Sequence, residues 1–94
     1  MLDLTINRLL NSIGKECFIK YFDEFKNSKL SNLELAEIIS NKENYSLQAT
    51  KVRVNSARKI IKFQNEREAL ALIISSKRLE SDIIEDAKKI YNTL

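Results

Sequence analysis

Residues 46–62 read Ser46-Leu47-Gln48-Ala49-Thr50-Lys51-Val52-Arg53-Val54-Asn55-Ser56-Ala57-Arg58-Lys59-Ile60-Ile61-Lys62. At about 100° per residue, Leu47, Thr50, Val54, Ala57 and Ile61 gather within roughly 80° of one helix face. Gln48, Lys51, Asn55, Arg58, Lys59 and Lys62 fan across roughly another 100° beside it. This period predicts a helix over 47–62, and Ser46 is a residue that can cap its start. The stretch holds five cations and no acid, while the rest of the chain carries eleven bases against thirteen acids. The +3 surplus of the protein therefore sits on one helix. Lys-rich solvated faces normally interleave Glu or Asp for i,i+4 pairing, which is impossible within this one.

Working outward, the preceding segment opens with Leu30-Ser31-Asn32-Leu33-Glu34-Leu35. Ser31 and Glu34 have the spacing of a capping box, and Leu30 with Leu35 that of a hydrophobic staple. A short helix over 32–40 follows from Ala36, Ile38 and Ile39, and residues 41–45 read as a polar, glycine-free connection. Before it, Phe18, Tyr21, Phe22 and Phe25 form a stripe on a helix over 15–27, the pattern of a core rather than of a stacking platform. Ile6, Leu9, Leu10 and Ile13 mark a first helix, ended by Gly14, which takes a left-handed conformation cheaply. Downstream, Asn65 to Glu68 repeats the capping-box pattern ahead of a helix over 66–76. A last helix over 82–92 carries Ile83, Ile84, Ala87, Ile90 and Tyr91, with Lys88 and Lys89 in its final turns, where they suit the helix dipole. The expected fold is all-α: one domain over 1–94, a compact bundle of about five to six short helices with no strand and no β-wing.

Composition narrows the chemistry. The 94 residues include no proline, no tryptophan, no histidine, one glycine and one cysteine. The turn signals of β and α/β folds are missing, as is any Gly-rich phosphate loop. Without histidine, Cys/His metal clusters and Ser–His or Cys–His nucleophilic pairs are excluded. Cys17, beside the aromatic stripe, reads as a small core residue. Carboxylate pairs such as Glu34/Glu37 and Asp82/Glu85 read as surface groups, so no enzyme is expected and no cofactor is implied. The opening Met1-Leu2-Asp3-Leu4 lacks the basic start of a signal peptide, and no run approaches the ~20 apolar residues of a membrane span. A cytoplasmic protein is the expectation.

The remaining possibility is binding. Cations neutralise phosphates and release counterions. Gln and Asn offer a donor and an acceptor together to an adenine edge, and Arg or Lys reach guanine. The order of a short capped helix, a connection and a longer basic helix resembles a helix-turn-helix, with 15–27 as the supporting first helix. Leu30 to Ile39 is similar to the Ser-x-x-Glu-Leu-Ala opening of many bacterial regulators, and Val52-Arg53-x-x-x-Ala57-Arg58-Lys59-Ile60 to later turns of sigma-type recognition helices. This resemblance is at superfamily level and spans residues 15–62. It implies a small sequence-specific protein for double-stranded DNA, a transcriptional regulator of bacterial, plasmid or phage type. By position, Ser46, Gln48 and Lys51 would reach base edges, Asn55 and Arg58 would continue into the groove, and Lys59 and Lys62 would grip phosphate. Lys42 and Ser31 are candidate backbone contacts. Arg53, on the far edge of the buried stripe, suits a structural ion pair equally well. The flanking segments 1–13 and 66–94 either pack on this core or form a two-fold homodimer interface. The competing reading is a protein-interaction module or inhibitor that offers helix 47–62 to an acidic protein partner.

Overall fold

The computed structural model describes residues 3–27 and 29–94, and side chains from Thr5 onward apart from residue 28. Among the described residues it is all-helical: α1 (Asp3–Ile13), α2 (Lys15–Lys20), α3 (Phe22–Lys26), α4 (Asn32–Glu43), α5 (Leu47–Lys62), α6 (Glu66–Ile74) and α7 (Ser81–Thr93). Gly14 separates the first two at φ 86° and ψ 125°, a backbone that side chains with a Cβ rarely adopt. The described residues form seven helices rather than five or six, because the aromatic segment breaks at Tyr21 (φ −113°, ψ 23°). Tyr21 still donates its N–H to Cys17 and accepts from Phe25, so the chain bends there without losing its hydrogen bonds. Phe18 meets Phe22 edge-on at 5.5 Å between centroids and stacks with Phe25 at 6.2 Å, in the middle of the core.

α4 begins as its capping box dictates. The Ser31 hydroxyl accepts from the Glu34 N–H at 3.1 Å, and the Glu34 carboxylate accepts from the Ser31 N–H at 3.2 Å. The helix runs three residues beyond the expected end, to Glu43. Asn41 and Lys42 are exposed, and Glu43 finds partners in Lys20, the last residue of α2, and Tyr21 at the break after it, so polar residues extend the helix without burying an unpaired group. Asn44 then closes it in the left-handed conformation (φ 58°, ψ 35°), which Asn tolerates. The connection to α5 is thus three residues, 44–46.

α5 is the central element, packed against α4, α1, α3 and α6. Thr50, Val54, Ala57 and Ile60 are fully buried, and the Thr50 hydroxyl donates to the Ser46 carbonyl at 2.7 Å. Burial of Val54 and Ile60 stabilises the fold by about 1.5–3 kcal/mol each. Leu47, expected inside, is exposed in the first turn, and Ile60 rather than Ile61 takes the deepest place at the other end. α5 ends in a Schellman motif: Asn65 N–H bonds to the Ile60 carbonyl and Gln64 N–H to that of Ile61, with Gln64 at φ 58°. This use of Asn65 explains why the second capping box does not form. Its backbone (φ −107°, ψ 21°) lacks the extended geometry of a side-chain cap.

The terminal helices pack within the chain. Ile6, Leu10 and Ile13 bury α1 against α5 and α6, while α7 lies on α6 and α2. α7 continues to Thr93, so Lys88 and Lys89 sit before its last turn rather than in it.

Candidate nucleic-acid interface

Two side-chain contacts define how α4 lies on α5. Asn32, the first residue of α4, donates to Asn55 at 2.8 Å, and Arg58 reaches the carbonyl of Leu30 at 2.6 Å. At about 1.5 Å rise per residue, α4 is about 18 Å long and Asn55 lies about 12 Å along α5. Joined by three residues at one end and in contact at the other, the two helices run side by side in opposite directions, as an αα-hairpin does. The turn between them is three residues long and is entered through the left-handed Asn44.

The five cations of α5 divide into two groups. Arg58 turns inward over the corner between α3 and α4. Its Nε donates to the Phe25 carbonyl (3.2 Å), one Nη to the Leu30 carbonyl and Asn32 Oδ1 (2.8 Å), the other to the carbonyls of Glu24 (3.4 Å) and Asn27 (2.7 Å). Five N–H groups meet five oxygens. Several of these are the orphan carbonyls at the end of α3, where a cation also suits the helix dipole. Arg58, expected in a groove, therefore has no donor left for a base. Arg53 does the same for α1: one Nη donates to the Ile13 carbonyl, and the guanidinium lies 4.2 Å from the centroid of the Tyr45 ring. The role is structural, with a carbonyl and a ring face in place of the ion pair that was one of its two readings.

Lys51, Lys59 and Lys62 are exposed and make no hydrogen bond or ion pair among the described residues. The ion pairs there are Lys20–Glu43 at 2.7 Å and Lys88–Glu85 at 3.9 Å, neither of which involves a residue of α5. Gln48, exposed on the same arc, keeps both ends of its amide free of hydrogen bonds to described residues. Asn55 does not. Arg58 fixes Asn32 Oδ1 toward itself, so Asn32 Nδ2 faces Asn55 Oδ1 and takes up one of its two lone pairs, while the Asn55 Nδ2 donors bond to no described residue. Its donor face matches a phosphate or an acceptor edge. Ser46 caps α5, its hydroxyl accepting from the Ala49 N–H at 3.2 Å. Ser31 is likewise engaged in its cap, and Lys42 lies exposed in the last turn of α4 rather than in the connection.

Beside Lys62, an open groove of about 400 Å³ runs between the end of α3 and α5, floored by Phe25, Leu30 and Ile61 and edged by Lys26. At the opposite end of α4, Glu43 accepts from Lys20 and from the Tyr21 hydroxyl at 2.5 Å. These bonds hold the Glu43 carboxyl below the usual carboxylate range, while burial and the same bond push the Tyr21 phenol up. Burial also raises the Cys17 thiol, against the lowering influence of Arg53, so the thiolate is disfavoured. No group of three His, Cys, Asp or Glu side chains that could hold a metal occurs among the described residues. None of the described helices is long and apolar enough to cross a membrane.

Sequence reasoning missed Asn32, whose partners depend on tertiary placement, and Phe63, an exposed ring directly after Lys62. Phe63 had a signal: it follows the last basic residue of an acid-free helix and falls off the buried stripe. Comparison with family models, with curated proteins and with solved structures gives no match.

Proposed function

We propose that this chain binds nucleic acid through the outer arc of α5, as a small DNA-binding protein of the regulatory kind with duplex DNA as its ligand. The observation that carries the reading is the arc of Lys51, Lys59 and Lys62, without an acid in the helix and without a hydrogen-bond or ion-pair partner among the described residues, alongside Gln48 and the donor face of Asn55. Three lysines along an about 24 Å helix suit the regularly spaced phosphates of a duplex groove. Lys59 and Lys62 are assigned to phosphate; Gln48 is the side chain best equipped to read a base edge. Arg58 and Arg53 are left out of the interface. Binding of the purified protein to a random duplex pool, followed by fluorescence anisotropy on the enriched sequences, tests the reading. Affinity should fall as salt rises and one sequence should be preferred. Absence of binding at low salt would reject it.

A second reading, an acidic protein partner on the same face, is favoured by one observation: Val52 is 52% exposed at the edge of the cationic arc, about 20° beyond Lys59, an apolar contact that DNA backbone does not need. A folded partner that binds α5 in competition with duplex DNA would support it.

A further inference from the structure

The chain has seven aromatic rings, and their placement separates one from the rest. Phe18, Tyr21, Phe22 and Phe25 are buried in the core. Tyr45 and Tyr91 are half-buried, with the guanidinium groups of Arg53 and Arg67 at 4.2 Å and 5.6 Å from their centroids. Phe63 is 55% exposed. It occupies the C-cap of α5, one residue after Lys62 and four after Lys59, and continuing the helix period places it about 40° from Lys59 at the edge of the cationic arc.

The helix end does not require an aromatic there. The Schellman motif that closes α5 uses the backbone of Ile60, Ile61, Gln64 and Asn65, and its buried side chains are Ile60 and Asn65, not Phe63. The same hydrogen bonds hold the backbone on both sides of Phe63, so the ring stands on a fixed base. A preorganised exposed ring flanked by lysines is the combination that single-stranded and distorted nucleic acids use: the lysines hold phosphates and the ring stacks on a base. The nearest acids in sequence, Glu66 and Glu68, belong to α6, which packs on α7 and α1 after the chain reverses at Gln64.

We propose that Phe63 is a base-stacking residue, and that the preferred ligand of this face is a nucleic acid with an unpaired base within reach of the phosphates held by Lys59 and Lys62. This rests on the nucleic-acid reading above and specifies the state of the strand. The experiment compares three probes of one sequence at fixed salt: a perfect duplex, the duplex with a single-base bulge, and the single strand. Wild type should bind the bulged duplex about tenfold more tightly than the perfect one. Phe63→Leu should abolish that preference while leaving the salt slope on the perfect duplex unchanged, and Phe63→Tyr should keep it. Equal binding of bulged and perfect duplex by wild type, or an unchanged preference in Phe63→Leu, would overturn the stacking role while the phosphate-binding face stands. Failure to bind any of the three probes would overturn both, and would assign Val52 and Phe63 to a protein contact instead.

Discussion

The arginines and lysines of α5 share a charge and a helix but not a role. Arg53 and Arg58 reach across to the carbonyls that end α1 and α3, while Lys51, Lys59 and Lys62 stay at the surface. The difference follows from the head groups. A guanidinium is planar, carries five donors in a fixed fork and is weakly hydrated, so it can satisfy several orphan carbonyls in a partly buried corner. An ammonium is compact and strongly hydrated, and it is favoured where water or a phosphate can surround it. One basic helix thus holds the fold together on its flanks and exposes charge along its outer arc.

The largest expected break of this division is Arg58→Ala. It leaves carbonyls of the α3–α4 corner without their donor and should cost about 3 kcal/mol in urea unfolding. Arg58→Lys should recover less than half of that, because an ammonium cannot span the five oxygens. Full recovery would mean that charge, not the fork, matters. Arg53→Ala should cost about 1–2 kcal/mol, from the Ile13 carbonyl bond and the Tyr45 ring contact. Ser31→Ala, which removes the cap of the helix that Arg58 anchors, should cost about 1 kcal/mol. Single changes of Lys51, Lys59 or Lys62 to Ala should stay within about 0.5 kcal/mol of wild type. A larger loss would show a structural role for that lysine.

Acid offers a further contrast, between the paired Lys20 and the unpaired lysines of α5. The Glu43 carboxyl is held below its ordinary value of 4.5 by its bonds to Lys20 and Tyr21, and Glu34 by the Ser31 backbone and hydroxyl. The unfolded chain therefore takes up protons first as pH falls. The stability these groups contribute is fully present above the ordinary value and is lost as pH drops through the depressed one. The urea midpoint should decline over that window, and Glu43→Gln should flatten the decline.

Much of this arrangement was legible from the chain. The stops at Gly14, the caps at Ser31 and Ser46 and the aromatic core all depend on neighbours within a few residues, where local chemistry decides. The end of α4 was misjudged because residues 41–43 carry no apolar period, and the partners that engage Glu43, Lys20 at the end of α2 and Tyr21 at the break after it, lie more than twenty residues away. Residues 65–68 have the letters of a capping box, but the preceding helix uses the Asn65 backbone first. The outer arc followed from periodicity. The inward turn of Arg58 did not, since its partners lie at 24–32, and nothing local states that the corner of α3 and α4 will fold over the later turns of α5. The same distance effect hid the use of the Asn55 acceptor by Asn32.

Polyanion is expected to meet the lysine arc and not the arginine corners. The most direct measurement is the salt dependence of binding to a labelled duplex, for wild type, Arg58→Lys and the triple variant Lys51→Ala/Lys59→Ala/Lys62→Ala, each checked for folding by circular dichroism. On a plot of log affinity against log salt, the triple variant should lose about 1.8 or more from the slope, about 0.9 for each of the phosphate contacts of Lys59 and Lys62, while Arg58→Lys keeps the wild-type slope. A folded triple variant that binds with the wild-type slope would contradict the account.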